Sequence, residues 1–487
     1  MALRAVYLTD DNVKPRERAE TDSGMSALTE YYRCPDDYLQ FELTGPLSAD
    51  SGYFRLAHEA ICYGRSASGY RTPDADALLY GVLRDVKQSG TTVLLPFSPT
   101  EVIDNLRLER YARQYTCSEW TQRQKFLRDG YYLLRPWMGL TLRTYVKQIH
   151  ANGWRRIAFP RWPVDTTVEQ LSEALLLLSM KAKGIDRVPF VWFWPRGTKG
   201  CVVLTHDVEG ETGYSFCREL LDIDDSHEIK ASFQLVPEGP YTVSETLLQD
   251  IRDRGFEVNI QDLNHDGYLF SDRQEFLRRV QKINHYGQTY AARGFRAALM
   301  YRNLDWYDAL DFSYDISVPN VAHLDPQRGG CCTVMPYFVG DTVEIPLTTT
   351  QDYMLFHLLG DYSLDLWKKQ TEMILRKNGL ISFLVHPDYM LDKRARGIYL
   401  DLLCFLRKLG SQRQLWFALP GEVDQWWRTR SKLQVVRRSG GWRIEGPGSE
   451  RASLAFARIC DDHLEYEIEH GSNWPGAATP EALQAKA

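Results

Sequence analysis

The chain has 487 residues, more than one ordinary domain accommodates, so two or three domains are expected. Its 44% hydrophobic and 25% charged residues are those of a globular protein, and a net charge of −6 argues against nucleic acid as a partner. The 13 Trp and 27 Tyr suit sugar or planar-ligand surfaces and suit a large core equally well.

The opening stretch MALRAVYLTDDNVKPRERAE lacks a basic segment followed by an apolar one, so no signal peptide is expected. No run of about 18 apolar residues occurs, and no transmembrane segment is expected. Nine cysteines without framework spacing fit free thiols in a reducing compartment, which makes the expected location cytoplasmic. The adjacent Cys331 and Cys332 read as structural small residues.

Residues 1–195 mix short strands and amphipathic helices, the pattern of an N-terminal α/β domain whose role the sequence does not specify. The segment 75–90 predicts a helix closed by Gly90, 91–97 a strand, and 99–115 a helix opened by Pro99. Further helices are expected at 139–152 and 167–184. Within 135–163 Trp is interleaved with Arg and Lys; this is either a core helix with solvated basic flanks or a surface for peripheral membrane contact. The segment 195–200, PRGTKG, reads as a linker.

From Cys201 the rhythm becomes regular, with strands expected at 201–205, 230–236, 256–260, 294–297, 313–317, 343–347, 380–385 and 415–419. Helical stretches at 215–227, 244–255 and 273–287 lie between them, and 420–430 reads as a closing helix. Strand–helix alternation implies parallel pairing in a wound or barrel α/β fold. After Lys432 short strand-like runs predict a small antiparallel β appendage at 432–470, followed by a disordered Ala/Pro/Gly-rich tail at 471–487.

Four of the strands end on polar clusters: THDVE after 201–204, QDLNHDG after 256–260, GFRAALMYRN at 294–303 and LVHPDY at 384–389. A parallel β/α barrel presents its working residues in this way, at the C-terminal ends of several strands. Asp207, Glu209, His265, Arg296 and His386 are the candidates. Each alone is more often a turn, cap or structural group; the combination is not. Carboxylate plus imidazole can hold Zn, Mn, Co or Ni, a carboxylate outside the metal shell can act as general base, and a second His as general acid. Arg296 can orient the base through a charge-assisted pair. Such a set suits metal-assisted hydrolysis. His206 points to the opposite side of its strand and reads as structural, as do His285, His323 and His357, which have no partner pattern.

The clusters resemble, in order, the five motifs of the polysaccharide deacetylase family (the NodB-like domain, carbohydrate esterase family four), over about residues 198–430. The resemblance implies a distorted (β/α) barrel with fewer complete units than a regular one. It makes Asp207 the catalytic base, Arg296 its orienting partner and His386 the general acid. It places the metal, Zn or a similar divalent ion, on Glu209, Gln261 and His265. LDWY and YDISVPN resemble the fourth-motif region, with Trp306 and Asp315 as wall and support residues of the substrate site. Gln261 departs from the family, which has His there; an amide oxygen is a poorer donor, so the site is tilted towards hard ions or towards none. The leading expectation is a hydrolase removing an N-acetyl or similar N-acyl group from an amino sugar of a glycan or glycan precursor. A small-molecule C–N amide hydrolase is the second reading, and a catalytically silent glycan-binding or scaffold protein the third. Nothing in the sequence specifies an oligomeric state.

Overall fold

The computed structural model describes residues 27–56, 60–116 and 153–469. The helix expected at 139–152, most of the Trp/Arg stretch at 135–163 and the tail expected at 471–487 lie outside these residues.

All eight strands expected between 201 and 419 are present and belong to one sheet. Its order is Tyr337–Val339, Thr342–Glu344, Tyr314–Asp315, Gly294–Arg296, Glu257–Gln261, Ser232–Leu235, Cys201–Val208 and Leu380–Val385, with Trp416–Phe417 alongside Cys201–Val208. Every neighbouring pair is parallel except the hairpin Tyr337–Val339/Thr342–Glu344. The sheet curls until its two ends approach: Ser382 N–H donates to Thr348 Oγ1 at 2.9 Å, and Thr349 N–H donates to the Ser382 carbonyl at 3.3 Å. Irregular backbone thus takes the place of a final strand, and the fold is a distorted α/β barrel.

Helices Glu211–Ser226, Glu245–Asp253, Arg273–Thr289, Asp365–Leu375, Lys393–Arg413 and Pro420–Arg430 connect or close the sheet. Where capping is visible it follows the local sequence: Ser244 accepts from Leu247 N–H, and Asp272 from Gln274 and Glu275 N–H. The apolar faces of these helices, for example Leu220, Ile251, Ile283 and Leu406, are buried against Phe233, Ile260, Phe295 and Phe383 of the strands. Burying each such side chain contributes roughly 1.5–3 kcal/mol of transfer free energy.

The N-terminal segment differs from expectation in two places. Residues 75–90 do not form the expected helix: Val82–Asp85 makes one short 3-10 turn, and Lys87–Ser89 pairs antiparallel with Thr92–Leu95 around Gly90, whose φ is 59°. A glycine in the left-handed region serves a helix end and a hairpin turn alike, and here it makes the turn. Leu78 and Leu83, 84% and 44% exposed, show that the apolar spacing buries no continuous helical face. The helix begun by Pro99 stops at Arg107, because Glu109 adopts φ 52° and turns its carboxylate into the barrel layer. There Arg302 Nε donates to Glu109 Oε2 at 2.6 Å, in a buried pair that fastens the N-terminal segment to the barrel. Removing one partner of such a pair costs about 3–5 kcal/mol. The helix expected at 167–184 is present as Thr167–Lys183.

The C-terminal strands are built onto the N-terminal segment. Leu454–Cys460 pairs antiparallel with His463–Ile468 on one edge and with Arg187–Val191 on the other. Gln434–Arg438 and Gly441–Glu445 form a separate hairpin. Between Arg187–Val191 and the barrel, residues 195–200 make a tight turn flanked by the buried rings of Trp192 and Trp194.

Candidate metal and active site

Strand alternation sorts the first cluster. Thr205 and Asp207 face the barrel interior, while His206 faces the helix layer, where Nε2 meets Asp224 at 2.9 Å and Nδ1 the Val385 carbonyl at 3.1 Å. His206 is structural, as its position in the strand predicts. Glu209 lies just past the end of Cys201–Val208.

The interior residues converge. Arg296 Nη2 donates to Thr205 Oγ1 at 3.1 Å, and its Nε lies 3.5 Å from Asp207 Oδ1. Glu209 Oε1 lies 2.9 Å from His265 Nε2 and 3.4 Å from His386 Nε2. Asp207, Glu209 and His386 each offer one donor atom, and these three atoms lie within 4.8 Å of one another. The loop after Glu257–Gln261 is held by backbone in uncommon regions: Asp262 and His265 have φ of 51° and 57°. Such conformations cost about 1–3 kcal/mol each and persist where surrounding structure over-determines them.

Two other expected residues stand apart from this cluster. The Asp315 carboxylate accepts from Ser317 N–H and Ser317 Oγ–H at 2.9 and 2.8 Å, and its strand neighbour is Glu344. Burial raises the pKa of both carboxyls, Glu344 well above its ordinary value, with the Asp315 charge adding to the rise. Trp306 packs its ring 5.2 Å from Phe276 and 6.3 Å from Phe270, against the helix Arg273–Thr289.

Gln261 also differs from the expected arrangement. Its Nε2 donates to Asp207 Oδ2 at 3.1 Å, so its side chain does not join Glu209 and His265. Its Oε1 is buried without a hydrogen-bond partner among the described residues.

Sequence reasoning missed three supporting residues. Asp352 Oδ1 lies 2.6 Å from His386 Nδ1, and Asp352 Oδ2 accepts His386 N–H at 2.8 Å. This fixes the proton on Nδ1 and leaves Nε2 facing Glu209. Asp352 follows a Thr run and carries no strand-end pattern, so no sequence signal marked it. Thr205 opens the THDVE cluster, where its hydroxyl was not among the candidates. Asp388 accepts from Gly210 N–H at 3.2 Å, from Gly213 N–H at 3.0 Å and from Thr212 Oγ1–H at 2.9 Å, which ties the ends of the first and last parallel strands together.

Electrostatics follow from burial and these partners. Burial raises the Asp207 carboxyl above its ordinary pKa, against the attraction of Arg296 and His386. Burial also acts to raise Glu209, but His265 and His386 together outweigh it and hold that carboxyl well below the ordinary range. Burial disfavours the charged His386 ring, yet Asp352 and Glu209 hold its pKa well above the ordinary value. The group is thus a dense array of opposite charges with little solvent, able to bind a cation or move a proton.

The donor set fits a divalent ion. The 3.4 Å between Glu209 Oε1 and His386 Nε2 is close to the ~3.3 Å edge of a tetrahedron of ~2.0 Å metal bonds. Asp207 Oδ1 is buried and accepts no hydrogen bond among the described residues.

A curled, mainly parallel sheet with this group at its C-terminal mouth makes the fold a distorted α/β barrel. No family model matches the chain, and no curated protein does. Among solved structures the chain is similar to a candidate polysaccharide deacetylase from Mycobacterium smegmatis, at 17% identity and TM-score 0.40, over 49% of this chain and 93% of that one. It is similar to the Puue allantoinase at 11% identity and TM-score 0.39, over 48% and 92% of the two chains. A candidate polysaccharide deacetylase from Pseudomonas aeruginosa PAO1 gives 10% identity and TM-score 0.38, over 47% and 91%. Among the described residues no helix is long and apolar enough to cross a membrane.

Proposed function

We propose that the protein is a metal-assisted hydrolase that removes an N-acetyl or similar small N-acyl group from an amino sugar in a glycan or glycan precursor. The observation that supports this reading is the convergence of Asp207, Glu209 and His386 at the sheet's mouth, with Arg296 and Asp352 each steadying one of them. A divalent ion bound by this group would polarise the scissile carbonyl and lower the pKa of a bound water. Arg296 keeps Asp207 oriented and offsets its charge. Asp352 accepts the Nδ1 proton of His386, so that Nε2 is the ring atom presented to the mouth. Glu209 supplies the negative charge that the two imidazoles flank. Zn is the first candidate ion, with Mn, Co and Ni as alternatives.

Elemental analysis of purified protein, combined with a screen for acetate release from N-acetylated amino sugars, tests the proposal. Acetate release that disappears in Asp207→Asn and His386→Ala is the expected result. A metal-free, inactive parent would favour a glycan-binding role instead. Cytoplasmic residence is likewise a proposal, and thiol titration of acid-quenched cells tests it; about nine free thiols are expected on the unfolded protein.

A further inference from the structure

The geometry points to a rearranged metal centre: we infer that Asp207, Glu209 and His386 form the inner donor set, while Gln261, His265 and Asp352 stand behind them as one outer partner each. The inference rests on the metal-assisted reading above and departs from the ligand set that the family resemblance implies, in which Gln261 and His265 would touch the ion.

Three contacts carry it. Gln261 Nε2 donates to Asp207 Oδ2 at 3.1 Å, which turns the amide nitrogen towards the carboxylate and leaves no role for Gln261 beside Glu209. His265 Nε2 meets Glu209 Oε1 at 2.9 Å, but His265 does not join the group whose donor atoms all lie within 4.8 Å of one another. His386 does join it, and its other ring nitrogen is already engaged by Asp352 at 2.6 Å. A ligating imidazole ordinarily has its second nitrogen held by a carboxylate or carbonyl, and ligating carboxylates are themselves hydrogen-bonded. Asp207 and His386 each have such a partner here, and Glu209 has an ion-pair contact with His265. Asp207 Oδ1 is buried and takes no hydrogen bond among the described residues, with Arg296 Nε 3.5 Å away as its ion-pair partner.

Loss of the family's histidine at 261 has a physical consequence in this arrangement. With an amide at that position the imidazole-rich side of the site is gone, and an ion is drawn towards the two carboxylates and the remaining well-supported ring. Two carboxylates and one imidazole form a harder donor set than one carboxylate and two imidazoles, which shifts preference from Zn²⁺ towards Mn²⁺.

Calorimetry with Zn²⁺ and Mn²⁺ alone, on the full chain and on His386→Ala, Asp207→Asn, His265→Ala and Gln261→Ala, separates the two ligand sets. The expected result is a loss of roughly a thousandfold or more for His386→Ala and Asp207→Asn, beyond the ~10–100-fold typical of outer partners. His265→Ala and Gln261→Ala should lose no more than that outer-partner range. A greater loss for His265→Ala than for His386→Ala overturns the inference, as does a parent that binds neither ion. Pulsed electron paramagnetic resonance of the Mn²⁺-loaded parent needs no variant to fold: one coordinated imidazole nitrogen is expected, and two would overturn the assignment. The functional reading fails separately, if the parent binds metal as described and hydrolyses no N-acylated sugar. Acetate release from a centre built on His265 would keep that reading and sink this inference.

Discussion

Gln261 Nε2 lies 3.1 Å from Asp207 Oδ2, and both residues are almost fully buried. The bond gives one oxygen of a desolvated carboxylate a donor from across the barrel interior. A hydrogen bond to a charged group is worth about 1.5–3 kcal/mol. Gln261→Leu should therefore lower stability by that amount in urea denaturation, with unchanged slope. A change below about 0.5 kcal/mol would mean that the amide does not hold Asp207.

Asp352 offers the second prediction. Asp352→Asn keeps the size of the side chain but removes the charge that orients His386 through Nδ1. Turnover on the substrate identified by the acetate screen should fall roughly 10–100-fold, the usual cost of an outer partner, mainly in kcat. Circular dichroism should be unchanged. Full activity in the variant would show that His386 needs no such support.

The third concerns the tie between strand ends. A Cβ on Gly213 would stand 2.1 Å from Asp388 Oδ2 and 2.9 Å from the Asp388 backbone nitrogen. Gly213→Ala must displace Asp388 and should cost about 1–3 kcal/mol, the usual range for overpacking. In an Asp388→Ala background the same change should cost less by about 1 kcal/mol, because part of the clash is gone. Strict additivity in the double-mutant cycle would refute the tie.

A fourth prediction uses Glu169, which is fully buried and accepts from Thr333 Oγ1–H and from Val334 N–H at 3.2 Å. Burial pushes its carboxyl up to about 7 from an ordinary 4.5, against those hydrogen bonds. The folded state therefore binds this proton more tightly than the unfolded state. Stability from this group is greatest below pH 4.5, declines as pH rises, and is lost above about 7. The whole span corresponds to about 3 kcal/mol as an order of magnitude. Glu169→Gln cannot ionise, so its stability relative to the parent should rise by about 1–3 kcal/mol between pH 5 and 8. A pH-independent difference would rule out this account.

Much of the fold was legible because periodicity is a local property. Strands such as Leu380–Val385 are apolar but for one buried serine, which suits a strand covered on both faces. Asp207, Glu209, His265, Arg296 and His386 were legible for a related reason: each lies at or just beyond the place where an apolar run ends. The hairpin at 87–95 was misread because a left-handed glycine closes helices and turns alike.

By itself, then, the sequence determined the parallel sheet, the chain positions of the polar clusters and the chemistry they could supply. Tertiary structure alone decided which groups meet. Asp352 lies 34 residues from His386 and Gln261 lies 54 from Asp207, so no local pattern could pair them. Parallel pairing sets the strand carrying Asp207 directly beside the one leading to His386, whereas Asp315 turns to Ser317 and Glu344. In a buried interior each charge must find a partner, and closure of the barrel determines which partner is within reach.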